Sequence, residues 1–181
     1  MSPTEQLKEE HVKITSMLEI LGKVSDRLES GKHVEQRHLD QILEYLKVFV
    51  GECHHGKEED ALFPAMEQAG IGDPVEIMLE VHQLGRENVT GMSEAAGKLG
   101  QGDQSASSQF VQNARSYIER LLEHIEMENE TLYPMADETL PGRVQIKLSV
   151  EFAKVDEERI GHGKKEEFHR LTEQLRDIYL A

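Results

Sequence analysis

Apolar residues along this chain return in alternating steps of three and four, the repeat that places one buried stripe on a helix. In the first segment Leu7, His11, Ile14, Leu18, Leu21, Ser25 and Leu28 share such a stripe. Ser2-Pro3-Thr4-Glu5 starts it, with a hydroxyl at the cap, Pro at the first helical position and Glu three residues on. Ser30-Gly31 should end it. A second segment begins near Val34 and runs towards Gln68 and Gly70, with Leu43, Leu46, Val50, His54, Glu58 and Leu62 on its inner face. A third opens at Asp73-Pro74-Val75-Glu76, read as another capping box, and carries Val75, Met78, His82, Gly85, Val89, Met92, Ala96 and Leu99. After a Gly-rich turn at 97–103, a fourth holds Phe110, Ala114, Tyr117, Leu121, His124, Glu128, Thr131 and Met135. Four long amphipathic segments on short connections predict an all-α, up-down-up-down four-helix bundle over residues 1–140. Residues 141–181 predict a short helical extension, broken near Gly161-His162-Gly163. Leu148, Phe152 and Val155 mark one of its apolar faces; Phe168, Leu171, Leu175 and Ile178 mark the other. No chemistry is legible there, and it reads as a cover for the bundle or a surface for a protein partner or second copy.

Within the four stripes the polar exceptions are systematic. His11, His54, His82 and His124, with Glu58 and Glu128, occupy positions that the repeat reserves for apolar side chains. Two of the helices carry the same string. Residues 54–64 and 124–134 both read His-x-x-x-Glu-x-x-x-Leu-aromatic-Pro. A His and a Glu four residues apart lie about one turn apart on one helical face. Pro64 and Pro134 should kink or end their helices just after the motif.

A buried carboxylate without a partner is costly, so such groups neutralise, pair or bind metal. Four imidazoles and two carboxylates aimed at one centre suit a pair of metal ions. With no thiolate among the donors, iron, manganese and zinc fit better than copper(I) or an iron–sulfur cluster. A rival register, His55 with Glu59, also fits His-x-x-x-Glu. Its face carries Glu52 and Gly51, so His55 and Glu59 are expected to be exposed or to support the ligands from outside. His33, His38, His162 and His169 are expected in solvent, and Tyr117 and Cys53 in the core.

The rest of the composition narrows the classes. With 181 residues there is room for one domain with a real core. A net charge of −15 makes nucleic acid and anionic membrane poor partners. One cysteine cannot form an internal disulfide, and no stretch approaches a membrane span. The first residues lack a basic segment followed by an apolar run, and a cytoplasmic protein is expected.

His11, His54-x-x-x-Glu58, His82 and His124-x-x-x-Glu128 resemble the ligand series of hemerythrin-like (HHE cation-binding) domains, in order, spacing and helix placement. The resemblance spans residues 5–137, and residues 156–179 are similar to a C-terminal extension of some members. It implies two iron ions joined by oxo or hydroxo and carboxylate bridges. It also implies a small ligand, dioxygen, peroxide or nitric oxide, that is bound, sensed or turned over. The oxygen-carrying members place two His four residues apart on the third helix. Here Met78 and Arg86 flank His82 at that spacing, which implies one protein nitrogen fewer. Arg86 is expected to pair with a nearby carboxylate. A ferritin-like oxidase would need two Glu-x-x-His pairs, and only Glu52 and His55 supply one.

Overall fold

The computed structural model describes residues 1–181, all of the secondary structure is helical, and no strand is present. Helix α1 is Pro3–Glu29, closed at its start by reciprocal Ser2 and Glu5 hydrogen bonds and followed by Gly31 at φ +71°. Helix α2 covers residues 36–68 and alternates between tight and wide turns. It runs through Gln36–Tyr45, a π-helical stretch Leu46–His54, His55–Lys57, a second π-helical stretch Glu58–Leu62, and Phe63–Gln68. Helix α3 is Asp73–Gly100, helix α4 covers residues 107–139, and α5 covers residues 142–160. Helix α6 is Gly161–Tyr179, and the left-handed φ of +70° at Gly161 supplies the corner between α5 and α6.

Of the two outcomes expected at the prolines, a kink or an end, the end does not occur. In α2 the Phe63 N–H reaches back five residues to the Glu58 carbonyl; in α4 Tyr133 does the same to Glu128. A wider turn just before the proline accommodates its missing donor and the crowding of its ring against the previous turn. Each Glu of the repeated motif therefore stands at the first position of a wide turn. The extra residue also shifts the stripe. Beyond Glu128 the buried positions are Leu132, Tyr133 and Ala136, while Thr131 is exposed. The Asp73 capping box does not form either: Gly72 caps α3 with no side-chain bond, and Asp73 lies inside the helix.

Polar contacts give the helix directions. Along α1 and α4, Thr4 bonds Asp137 at one end and Arg115 reaches Glu29 at the other. Along α3 and α4, His82 faces His124 and Lys98 faces Gln109. Along α2 and α3, Glu59 meets His82 and Gln36 bonds the Ala96 carbonyl. Partners run in opposite order within each pair. The α5–α6 hairpin lies on α1 and α2, where Phe168, Leu171, Leu175 and Tyr179 join the main apolar cluster and Phe152 joins a smaller one around Leu7. Tyr179 takes the buried place expected for Ile178. The end of α6 also covers His38, which is buried, not solvated, with its Nδ1 2.7 Å from the Tyr179 hydroxyl.

Candidate metal centre

The six stripe residues meet in the interior with a seventh, His55. His55, Glu58, His82 and His124 offer four ligand atoms within 4.8 Å of one another; His11, His54, Glu58 and Glu128 offer another four. Glu58 belongs to both groups. Glu128 also spans them, with Oε2 3.2 Å from His11 Nε2 and Oε1 3.0 Å from His124 Nε2. Both carboxylates are wholly buried. His55 was expected on a polar face and is 4 % exposed, its ring stacked on His82 with centroids 3.7 Å apart. The cause lies in the backbone. The His55 N–H bonds the Val50 carbonyl, five residues back, so neighbouring side chains are turned less far apart than in a regular α-helix. His54 and His55 consequently straddle the centre. A fifth imidazole, His55 of α2, thus joins the four of the stripes.

Three of the imidazoles are held from outside. Their Nδ1 atoms lie 2.8–2.9 Å from an oxygen of Asn129 for His11, Glu10 for His54 and Glu59 for His82. An Nδ1–H donated outward fixes the tautomer and leaves Nε2 bare towards the centre, as metal-ligating imidazoles require. Glu59 is half-buried, supporting His82 while pairing with Arg86 at 2.8 Å. Glu10 is held in turn by a fully buried ammonium, Lys57, which also meets Asp156 of the C-terminal hairpin at 2.6 Å. Burial opposes ionisation of Glu10, yet His54 and Lys57 together hold its carboxyl down at about 2.

The interior of the site has chemistry that protein groups alone leave unanswered. Glu58 Oε2 and His55 Nε2 are buried without hydrogen-bond partners. His82 Nε2 and His124 Nε2 face each other at 3.0 Å, a separation that calls for a shared proton or a cation. Burial and then Glu128 push the Glu58 carboxyl well up, since two buried carboxylates resist ionising together. Burial pushes His54 down to about 4 and lowers His55 and His82 as well, so these imidazoles are neutral, the form that binds metal. The donor set fits a cation-binding centre.

Sequence reasoning missed three parts of this site. His55 was hidden by the assumption of a uniform helical period. Tyr133 counted only as the aromatic of the repeated string, yet its hydroxyl donates to Glu58 Oε1 at 2.6 Å and lies 3.3 Å from His11 Nε2. The Glu10–Lys57–Asp156 chain had no local signal, since its members are far apart in sequence and sit among many solvated charges. Cys53 is buried as expected; burial pushes its thiol up to about 12, and it donates to Asp156. Tyr117 is buried in the main cluster. With His55, His82, Gly85 and Arg86 it also lines a cavity of about 340 Å³ between α2 and α3.

Comparison with known proteins identifies the family. Uncharacterized proteins of Mycobacterium tuberculosis, Rv1995, and Mycobacterium bovis, Mb2018, are each 24 % identical over 178 residues. The aligned region covers 96 % of this chain and 68 % of each relative. No solved structure gives a significant match. Residues 2–136 match the model of the hemerythrin HHE cation binding domain. The chain belongs to the hemerythrin HHE cation-binding family.

Proposed function

We propose that this protein is an up-down-up-down hemerythrin-like bundle holding two iron ions, and that it binds or senses a small oxygen or nitrogen species such as dioxygen, peroxide or nitric oxide. The observation that carries the reading is the pair of four-donor groups sharing Glu58, with Glu128 directed at both. One ion would be held by His55, His82 and His124, the other by His11 and His54, with the two carboxylates between them. Manganese or zinc suits the same donors, but iron supplies the reversible one-electron chemistry that a diatomic ligand needs. Five nitrogens and two shared carboxylates leave positions open in two six-coordinate shells. The chain's own residues then orient the imidazoles through Asn129, Glu10 and Glu59, hold a proton on Tyr133 beside Glu58, and keep bulk water away from both carboxylates.

The cavity against His55 and His82 is the route by which a small molecule would arrive, with Arg86, paired to Glu59, at its wall. That wall and the Tyr133 hydroxyl favour a second reading, turnover of peroxide or nitric oxide. The two readings separate in one experiment. Anaerobic iron-loaded protein is exposed in turn to dioxygen, nitric oxide and peroxide while its visible spectrum and the ligand concentration are followed. A spectral change that reverses when the gas is removed supports the binder; sustained consumption supports the enzyme. No spectral response and no consumption would contradict both.

A further inference from the structure

The α5–α6 hairpin lies beyond residues 2–136, the part matched to the family. Its corner nevertheless sits on the segment of α2 that carries His54, His55, Glu58 and Glu59, where four contacts fix it. Arg159 donates from Nη1 to the Glu52 carbonyl at 3.2 Å and from Nη2 to the Asp60 carboxylate. Asp156 meets the buried Lys57 ammonium at 2.6 Å and accepts from the Cys53 thiol at 3.1 Å. Gly56 lies against the guanidinium: a Cβ there would stand 2.5 Å from Arg159 Nη1. The anchors at 52, 53, 57 and 60 thus bracket both histidines and Glu58. From Asp156 the contacts continue inward, through Lys57 to Glu10, and from Glu10 to His54 Nδ1 at 2.9 Å.

We infer, resting on the reading of the site as a metal centre, that this corner clamps the wide turns of α2. Asp156 and Arg159 are then positioning residues for His54 and His55, and hairpin docking is coupled to metal binding. A π-helical turn is a rare departure from the α-helix, and α2 holds two of them between residues 46 and 62. Relaxation to regular turns would swing His55 away from the centre. It would also carry Lys57 and Asp60 off their partners in the hairpin. Only the wide register serves both sites. Metal favours it from inside, because it presents His54 and His55 together; the corner favours it from outside. Two sites that bias one two-state element are linked, and the linkage is reciprocal.

Amide hydrogen exchange of the full-length protein, metal-free and metal-loaded, reads the coupling in both directions. Metal-free Arg159→Ala and Asp156→Asn should each exchange residues 52–60 about tenfold faster than the unaltered protein. Each should also weaken metal binding by about 10–100-fold in competition with a chelator, and shift the visible bands of the cobalt(II)-loaded protein. Metal loading of the unaltered protein should in turn slow exchange in residues 142–160. Gly56→Ala displaces only the flexible tip of Arg159, so this variant should fold, mimic Arg159→Ala, and add nothing to it in the double variant. Lys164→Ala removes an ion pair at 2.7 Å between α6 and Glu44, on α2 but outside the ligand segment, and should move none of these readouts. Unchanged exchange at residues 52–60 would overturn the clamp, as would faster exchange with metal affinity within about twofold of the unaltered protein. Equal effects from Lys164→Ala would reduce the hairpin to a general cover. Unaltered protein that takes up no metal would overturn the centre itself and with it the coupling, a result distinct from unchanged exchange.

Discussion

The two copies of the repeated string, 54–64 in α2 and 124–134 in α4, do the same job with different neighbours. In each, the His and Glu point to the centre. In each, the residue after the Glu supports a histidine of another helix: Glu59 accepts from His82 of α3, and Asn129 lies at the same distance from His11 of α1. The differences lie between these fixed points. After the His stand His55 in one copy and Ile125 in the other. Before the Glu, Lys57 is buried where Met127 is 46 % exposed. Ahead of the proline, Phe63 stacks near His82, whereas Tyr133 turns its hydroxyl onto Glu58. Symmetry thus sets up the frame, and α2 carries the extra imidazole and the buried cation while α4 carries the extra proton donor.

Exchanging the unlike positions tests this division, beginning with the largest effect. His55→Ala should retain about one metal ion per chain instead of two, while Ile125→Ala retains both; metal analysis after gel filtration decides it. Two ions in His55→Ala would exclude His55 as a ligand. Next, Lys57→Met leaves Glu10 and Asp156 without their buried cation and should destabilise the protein by about 3–5 kcal/mol in denaturant titrations. The reciprocal Met127→Lys, on the surface, should stay within about 0.5 kcal/mol.

The acid response of metal-free protein comes third and belongs mainly to α2. His54 is depressed from the ordinary imidazole value to about 4, with His55 and His82 moved the same way. The unfolded chain then binds more protons below about pH 6.5, so stability is fully present above that pH and falls as pH drops through about 4. The raised Glu58 carboxyl works in the opposite sense, its folded form keeping a proton that the unfolded chain releases above about pH 4.5. The test is therefore made in Glu58→Gln, where melting temperatures that rise on acidification across this window would contradict the burial of neutral imidazoles. The smallest effect is expected at the supports. Glu59→Ala and Asn129→Ala should each weaken metal binding by about 10–100-fold without changing its stoichiometry, read by competition with a chelator.

Much of this was legible in advance because helical periodicity is strong where a stripe must be buried. The stripe placed His11, His54, His82 and His124 inside, and the repeat on Leu-aromatic-Pro selected Glu58 and Glu128. What stayed hidden followed from backbone the pattern does not encode. The wide turns of α2 rotated His55 inward and carried the helix past Pro64, and the one in α4 replaced Thr131 by Leu132 and Tyr133 as the inner residues. His38 and Lys57 were hidden for a different reason. Both are covered or paired by the C-terminal hairpin, more than ninety residues away in sequence.

X-ray absorption at the metal edge, combined with metal counting, addresses the shared-carboxylate centre most directly. The account predicts two irons per chain, a nitrogen-rich first shell, and a metal neighbour at about 3.5 Å that disappears in Glu58→Ala. A single ion per chain with no metal neighbour would contradict it.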